Sequence, residues 1–408
     1  MPSRYAPLSR AELAVLVPEL LLIGHLIDRA GMPYCLEAWG EEQMTQVAIE
    51  EWAGASPIYT RRMQRALRFE GDDVPTIFKG MQLDIGAPPQ FMDFRYSVAD
   101  PWHGAFHLDH CGALLDVEPM GPAMVKNMCH DIEDPTFDAT AVATNPRAQV
   151  RPVHRPPRTP ADRTPHCAWT VEIDPSFPVV EALPALADIE RTRAATLDLD
   201  PIDPAGDGLA DYSGALVDDL DFAAFSHSAL VRIADEVVLQ NHLLNLSFQR
   251  AVRARAGDDE GLFRRIALSQ LVGHAGVAAE RLHRALGLGS SPEDAATLLE
   301  LHPLMNPLPY VDLVRDGAAV TVAPSPAHED GGWPALCGPD APDALRAIVR
   351  AADPHLDVEV TGTPTAWTAR VVVTGTAAPE PGPVAVTKIS KGAAFAFEPR
   401  RSLPLYVR

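Results

Sequence analysis

Three cysteines and six histidines crowd one stretch of this chain, Trp102 to Thr170, although the whole sequence holds only five cysteines and fourteen histidines. His103, His107, His110, Cys111, Cys129, His130, His154, His166 and Cys167 all fall within it, and three times a His stands next to a Cys. Thiolate sulfur and neutral imidazole nitrogen are donors that suit zinc, and iron also takes them. Cys111, Cys129, His154 and Cys167 supply four such groups, separated by 18, 25 and 13 residues. These are not zinc-finger spacings, so a sheet must bring the four together. Zinc, with iron as the alternative, is the expected cofactor, either closed in a structural site or left with an open position for chemistry. Unligated buried thiols and solvated histidines are the plain alternative.

Within the same stretch, Cys129-His130-Asp131-Ile132-Glu133-Asp134 adds three carboxylates to a thiol and an imidazole. An imidazole near neutrality suits general acid/base work. His130 and Glu133 are the expected catalytic pair, with Asp131 or Glu133 orienting the ring. A thiol beside a base can also act as a nucleophile, yet adjacent residues on a strand or helix point apart, so His130 need not touch Cys129. The plain reading of the three carboxylates is a helix cap or turn before Pro135. Glu19/His25 and Glu236/His242 repeat one spacing, but six residues do not share a helix face. Glu280 and His283 have the Glu-x-x-His spacing of di-iron bundles without the second motif that such a site needs. Both sets read as ordinary core or surface residues. No glycine-rich phosphate loop, Gly-x-Ser-x-Gly elbow or His-Glu-x-x-His run occurs, which leaves nucleotide-dependent and common hydrolase chemistries without support.

The elements that must position these groups are bounded by composition. A chain of 408 residues with 47% hydrophobic content is globular and too long for one ordinary core. A formal net charge of −21 excludes a general nucleic-acid binder and argues against an anionic membrane surface. The apolar run from Leu13 to Ile27 is broken by Pro18, Glu19 and His25, so it reads as a core helix rather than a membrane span. The start lacks a signal-peptide layout, and the odd number of cysteines suits reduced thiols; a cytoplasmic location is expected.

Periodicity predicts helices over 9–30, after the capping-box pair Ser9 and Glu12, and over 41–52, 58–68 and 74–83. Strands are expected at 91–98, 105–117, 149–154 and 167–173. A Pro/Asp-rich connection follows, with one helix at 179–193. Helices return at 222–256, 262–286 and 292–301, then strands at 310–314 and 318–323 joined at Asp316-Gly317. A helix at 341–352 and strands at 356–361 and 366–373 complete the pattern, with one more strand at Val384 to Ile389 in the tail.

The two halves repeat this order, and the sequence repeats with it. Arg62-Met63-Gln64-Arg65-Ala66-Leu67 aligns with Arg281-Leu282-His283-Arg284-Ala285-Leu286, and the same offset of 219 residues pairs Pro88 with Pro307 and Asp93 with Asp312. Glu19 and His25 match Glu236 and His242 at an offset of 217. Asn145-Pro146 resembles Asp353-Pro354, and Ala168-Trp169-Thr170 resembles Ala366-Trp367-Thr368. The expected architecture is therefore α+β, a tandem pseudo-dimer of two helix-then-antiparallel-sheet units. The first unit spans 1–173 and carries the His/Cys cluster; a connection covers 174–221, a degenerate copy 222–375, and a tail 376–408. Thr365 stands opposite Cys167, so one site per chain is expected.

The order and rough spacing of Gly40-Glu41-Glu42, Cys111, Cys129, Asn145-Pro146, Arg151 to Thr159 and Pro165-His166-Cys167-Ala168-Trp169 resemble the L-2-amino-thiazoline-4-carboxylic acid hydrolase family and the related 4-vinyl-reductase-type domains. That resemblance covers about 135 residues of the first half and implies a pocket for a small aromatic or heterocyclic ligand beside a cysteine-rich zinc site. His154 and Arg151 depart from the pattern, standing where the binding domains tend to have a cysteine and an acidic ligand. The whole chain also looks like uncharacterised actinobacterial proteins, some associated with sterol catabolism. Together these readings point to a metal-dependent hydrolase or lyase of a small hydrophobic or heterocyclic molecule. The alternative is a non-catalytic small-molecule-binding protein with structural zinc, and the expected partners are a small-molecule ligand and either a second copy or an accessory protein docked on the 174–220 connection.

Overall fold

A buried helix must hide apolar residues on every side, and the first segment does so. Leu20 to Met32 are buried without a break, as expected of a helix at the centre of a protein rather than on its surface. A computed structural model of the chain describes residues 3–378. Helix α1 (Arg10–Trp39) begins at the Ser9–Glu12 capping box and ends at Gly40, whose φ of 81° carries the chain into the next helix. The sequence predicted an end near Gly31. That glycine instead serves packing, because a Cβ there would lie 2.6 Å from the Phe248 ring. Helix α2 (Glu41–Ala66) continues through Pro57, where two helices were expected. Proline removes one helical hydrogen bond, and the packed flanks of this long helix carry it through.

After α3 (Val74–Met81) come strands β1 (Met92–Asp100) and β2 (His103–Cys111). The strand expected over 105–117 stops at Cys111. There the Gly112 N–H bonds to the Phe91 carbonyl at 2.8 Å and the Cys111 sulfur accepts the Leu114 N–H at 3.3 Å, starting a helix. The chain then runs through α4 (Gly112–Val117), α5 (Pro122–Lys126), a π-helical turn at Asn127–Ile132 and α6 (Glu133–Val142). Strands β3 (Ala148–His154) and β4 (Cys167–Ile173) close an antiparallel sheet in the order β1-β2-β4-β3.

The connection holds two short helices, α7 (Pro184–Ile189) and α8 (Arg193–Thr196), in place of one. It is bound to the first half: Lys79 Nζ donates to the Tyr212 carbonyl at 3.0 Å, and Gln82 donates to that of Val217 at 2.7 Å.

The second half follows with α9 (His227–Ala256), α10 (Glu260–Leu286), α11 (Pro292–Leu301), β5 (Leu313–Asp316) and β6 (Ala319–Val322). Next come α12 (Pro326–Asp330), α13 (Trp333–Leu336), α14 (Asp343–Ala352), β7 (Leu356–Gly362) and β8 (Trp367–Val373), in a sheet ordered β5-β6-β8-β7. Each half is thus helices followed by a four-stranded antiparallel sheet of the same strand order, and the fold is α+β. The strand expected at Val384 to Ile389 lies outside the described residues. Among the described residues, no helix is long and apolar enough to cross a membrane.

Equivalent positions behave alike. The starts and ends of α1 and α9 differ by 217 residues, and the starts of α2 and α10 by 219. The Phe91 and Met92 amides both donate to the Pro88 carbonyl, as the Tyr310 and Val311 amides do to Pro307. The four long helices pack together in one core, and the matched charges cross between the halves. Arg62 bonds Glu236 at 2.9 and 3.2 Å, and Arg281 bonds Glu19 at 2.5 and 3.1 Å. Residue i meeting j while the copy of j meets the copy of i is the signature of a two-fold interface.

The two sheets meet that helical core differently. The second sheet is continuous with it: Val320, Val322, Trp367 and Ala369 belong to the same apolar cluster as α1, α2, α9 and α10. The first sheet has a separate cluster around Phe106, Trp169, Phe78 and Cys167.

Candidate functional site

The gap between those two clusters is a cavity. Its helical wall is His25, Asp28 and Arg29 of α1 with Trp52 and Tyr59 of α2, and its sheet wall includes Phe94, Leu108 and Cys167. The α6 side contributes Glu133, Thr136, Phe137 and Thr140, and Asp84 lies on the turn after α3. About 100 Å³ of the cavity is open to the centres of water-sized spheres, room for a small ligand. A second, almost wholly apolar cleft lies beyond Met128 and Ile132, lined by Met32, Met44, Met120 and Met124. Met128, which lines both spaces, sits on the π-helical turn, an irregularity frequent at functional sites.

The cavity wall is apolar except at a few buried ionisable groups. Asp84 is 5% exposed. Its Oδ1 accepts the Tyr59 hydroxyl at 2.9 Å and the Gly86 N–H at 2.7 Å, while no hydrogen bond from the described residues reaches Oδ2. Burial raises its carboxyl to about 6 against those two bonds. Burial likewise raises Glu133 to about 8, with Arg155 opposing it, so this carboxyl is largely protonated at neutral pH. His25 is driven down to about 3 by burial and then by Arg29, and stays neutral; its Nε2 faces the Gly86 carbonyl at 3.1 Å. Asp28 is raised by burial, partly offset by Arg29 at 3.0 Å and the Trp52 indole N–H at 3.4 Å. Arg29 also meets the buried Asp116, so its charge is shared by two carboxylates. Such perturbed groups in a cleft mark a candidate site.

The structure distributes the expected site residues unevenly. Glu133 lines the cavity. Asp131 is exposed and paired with Lys126 at 3.0 Å, and the His130 Nε2 faces the Pro156 carbonyl at 2.6 Å; neither is on the cavity wall. Cys111, Cys129 and Cys167 are buried and close enough that each is raised by its neighbours, with Glu133 acting on all three. Desolvation is the main cause for every one; Cys111 is pushed up to about 12, and Cys129 and Cys167 are likewise raised well above the usual thiol range. Thiols held so high remain protonated, which deprives Cys129 of nucleophile character. His154 lies on β3 opposite Ala168, and burial, then Arg163 and His107, lowers it. Among the described residues, no group of three or more His, Cys, Asp and Glu side chains is arranged to hold a metal ion.

The quieter candidates of the sequence divide too. Glu19 and Glu236 are the carboxylates of the reciprocal ion pairs. His25 is on the cavity wall, and His242 is buried with Nε2 facing the Asn306 carbonyl at 2.7 Å. Asp28, Trp52, Tyr59 and Asp84 were not singled out by the sequence. The one available signal was an ion pair, Asp28-Arg29, inside an otherwise apolar helix.

At equivalent positions the second half carries no such chemistry. Asp28 and Glu51 correspond to Asn245 and Gln270, which hydrogen-bond each other at 2.5 Å. Arg29 corresponds to Leu246, Trp52 to Leu271, Tyr59 to Ala278 and Asp84 to Pro303. His25 packs on Phe91 with ring centroids 4.7 Å apart, and His242 packs on the matching Tyr310 at 4.8 Å. But Trp333 also stacks on His242 and His274, each at 4.8 Å, and is 0% exposed. No protein family, curated protein or solved structure matches this chain.

Proposed function

We propose that the chain is a tandem duplication in which the first half binds one small, mostly apolar organic molecule and the second half is its filled structural partner. The observation that carries this is the contrast at one place in the repeat. His25 looks onto open space lined by polar groups, whereas His242 is covered by Trp333. A mostly apolar concavity with a few convergent polar groups is the usual form of a small-molecule site. The resemblance to heterocycle-binding domains supports the same ligand size. Glu133, protonated and on the wall, supplies a proton donor to whatever atom is placed against it.

Indole provides the test. One indole per chain is expected to bind wild-type protein with a rise in thermal midpoint, and Thr140→Trp, which fills the cavity from α6, is expected to abolish binding while circular dichroism stays unchanged. Undiminished binding in that variant would rule the cavity out. A second reading, hydrolase or lyase chemistry on zinc or iron, is favoured by the gathering of three thiols around Glu133. Elemental analysis beside a Cys129→Ala/Cys167→Ala variant decides it: the metal reading requires about one equivalent of metal that the variant loses.

A further inference from the structure

We infer that the ligand of the first-half cavity carries a protonated amine, held between Asp84 and Asp28 against the Trp52 ring, with its apolar body toward Phe94, Leu108 and Phe137. This inference rests on the cavity being a ligand site and adds the chemical class of what enters it.

The wall holds three carboxyl groups, Asp28, Asp84 and Glu133, against one cation, Arg29. That cation is already engaged by Asp28 and Asp116. Glu51 lies behind the wall, 0% exposed, and neither carboxyl oxygen has a hydrogen-bond partner. A buried acid without a partner is costly in its charged form, and a cation placed beside it removes that cost. Asp84 makes the case at atomic level: the residue is 5% exposed and on the cavity wall, and Tyr59 and the Gly86 amide fix Oδ1, which leaves Oδ2 as an acceptor to which no described residue donates. A ligand N–H suits it; a ligand carboxylate would be repelled. The His25 ring is neutral, which leaves Arg29, held by Asp28 and Asp116, as the one cation of the wall. Trp52, half-buried with its indole N–H on Asp28, offers a ring face of the kind that attracts ammonium groups.

The second half supports the same conclusion by subtraction. Where the cavity is filled, Asp28 and Glu51 give way to amides of the same shape, and Asn245 Nδ2 donates to Gln270 Oε1. At these two positions the acids stand in the half that has the open cavity.

Four probes of one shape separate charge from fit: tryptamine, tryptophol, indole-3-acetate and indole, titrated by calorimetry against the full chain at neutral pH. Tryptamine is expected to bind about tenfold or more tighter than tryptophol, and indole-3-acetate more weakly than either, as a desolvated cation–carboxylate contact requires. Asp84→Asn keeps the acceptor for Tyr59 and is expected to bring tryptamine down to the affinity of tryptophol. Asp28→Asn provides an independent check should Asp84→Asn fail to fold. Tryptophol or indole-3-acetate binding as tightly as tryptamine, blocked by Thr140→Trp, would overturn the amine and leave the cavity standing. Failure of all four to bind would overturn both readings.

Discussion

The two halves of this molecule share a strand order, matched helices and reciprocal ion pairs, yet only one of them has a divided core. In the second half, sheet and helices form one apolar cluster around Trp333 and Trp367. In the first, the sheet keeps its own cluster, and ionisable groups line the space between. On the proposed reading, binding capacity comes from what the fold leaves unfilled, and the half in which a tryptophan enters and carboxyl groups give way to amides serves as support.

Removing the plug should have the largest effect. Trp333→Ala empties the second half and is expected to cost about 3–5 kcal/mol of stability, as large core truncations do. Trp52→Ala, on the wall of space already open, should cost about 1–2 kcal/mol because less area leaves a packed contact. Urea unfolding of the two variants measures the difference, and equal costs would break the contrast.

The reciprocal ion pairs come next. Glu236→Ala and Glu19→Ala each strip a buried arginine of its carboxylate across the interface between halves and are expected to cost about 3 kcal/mol. Glu236 also holds Arg232 at 2.9 Å, so its loss should be the larger of the two; no cost from Glu19→Ala would show the interface to be lopsided.

Copying the amide of the second half into the first sharpens the comparison through pH. Burial, then Asp28, holds Glu51 well above its ordinary 4.5, and burial lifts Glu133 from 4.5 to about 8. For acids raised in the folded state, the native protein binds more protons than the unfolded chain, so stability is full below 4.5 and falls as pH rises through the native value. Glu51→Gln and Glu133→Gln should each flatten that decline between pH 4.5 and about 8, read by chemical unfolding across that range. A decline as steep as wild type would place the titration elsewhere.

The smallest effects should fall on residues of the first half that the cavity does not use. Asp131→Ala breaks an exposed pair with Lys126 and should change stability by less than about 1 kcal/mol. His130→Ala removes one contact with the Pro156 carbonyl, for about 1 kcal/mol. Neither should alter indole affinity, and a large loss of binding in either would return the chemistry to the 129–134 segment.

Much of the scaffold was legible in the sequence because it is written in local terms. The capping box at Ser9, the turn residues at Asn145 and Asp353, and the 219-residue echo of Arg62 in Arg281 each record a constraint on nearby backbone or a matched contact. Even so, Pro57 and Gly31 misled, since a proline or glycine in a long helix is tolerated when packing on neighbours outweighs it. The helical run from Gly112 to Val142 was missed because its apolar residues face two different spaces and lose a single period. The cavity was hardest to see. Asp28, Trp52 and Asp84 lie in three separate elements, and the His/Cys crowding drew attention to residues of which only Cys167 lines it. What distinguishes a wall from a core is the absence of something to fill it, and Trp333, which fills its counterpart, lies 249 residues beyond Asp84.

The most direct test of an open first half and a filled second is a crystal structure of the protein under xenon pressure, because xenon enters apolar space and scatters strongly. The account predicts xenon beside Phe94, Leu108 and Phe137 and none near His242, with a new site there only in Trp333→Ala. Xenon in both halves of the wild-type protein, or in the second alone, would contradict it.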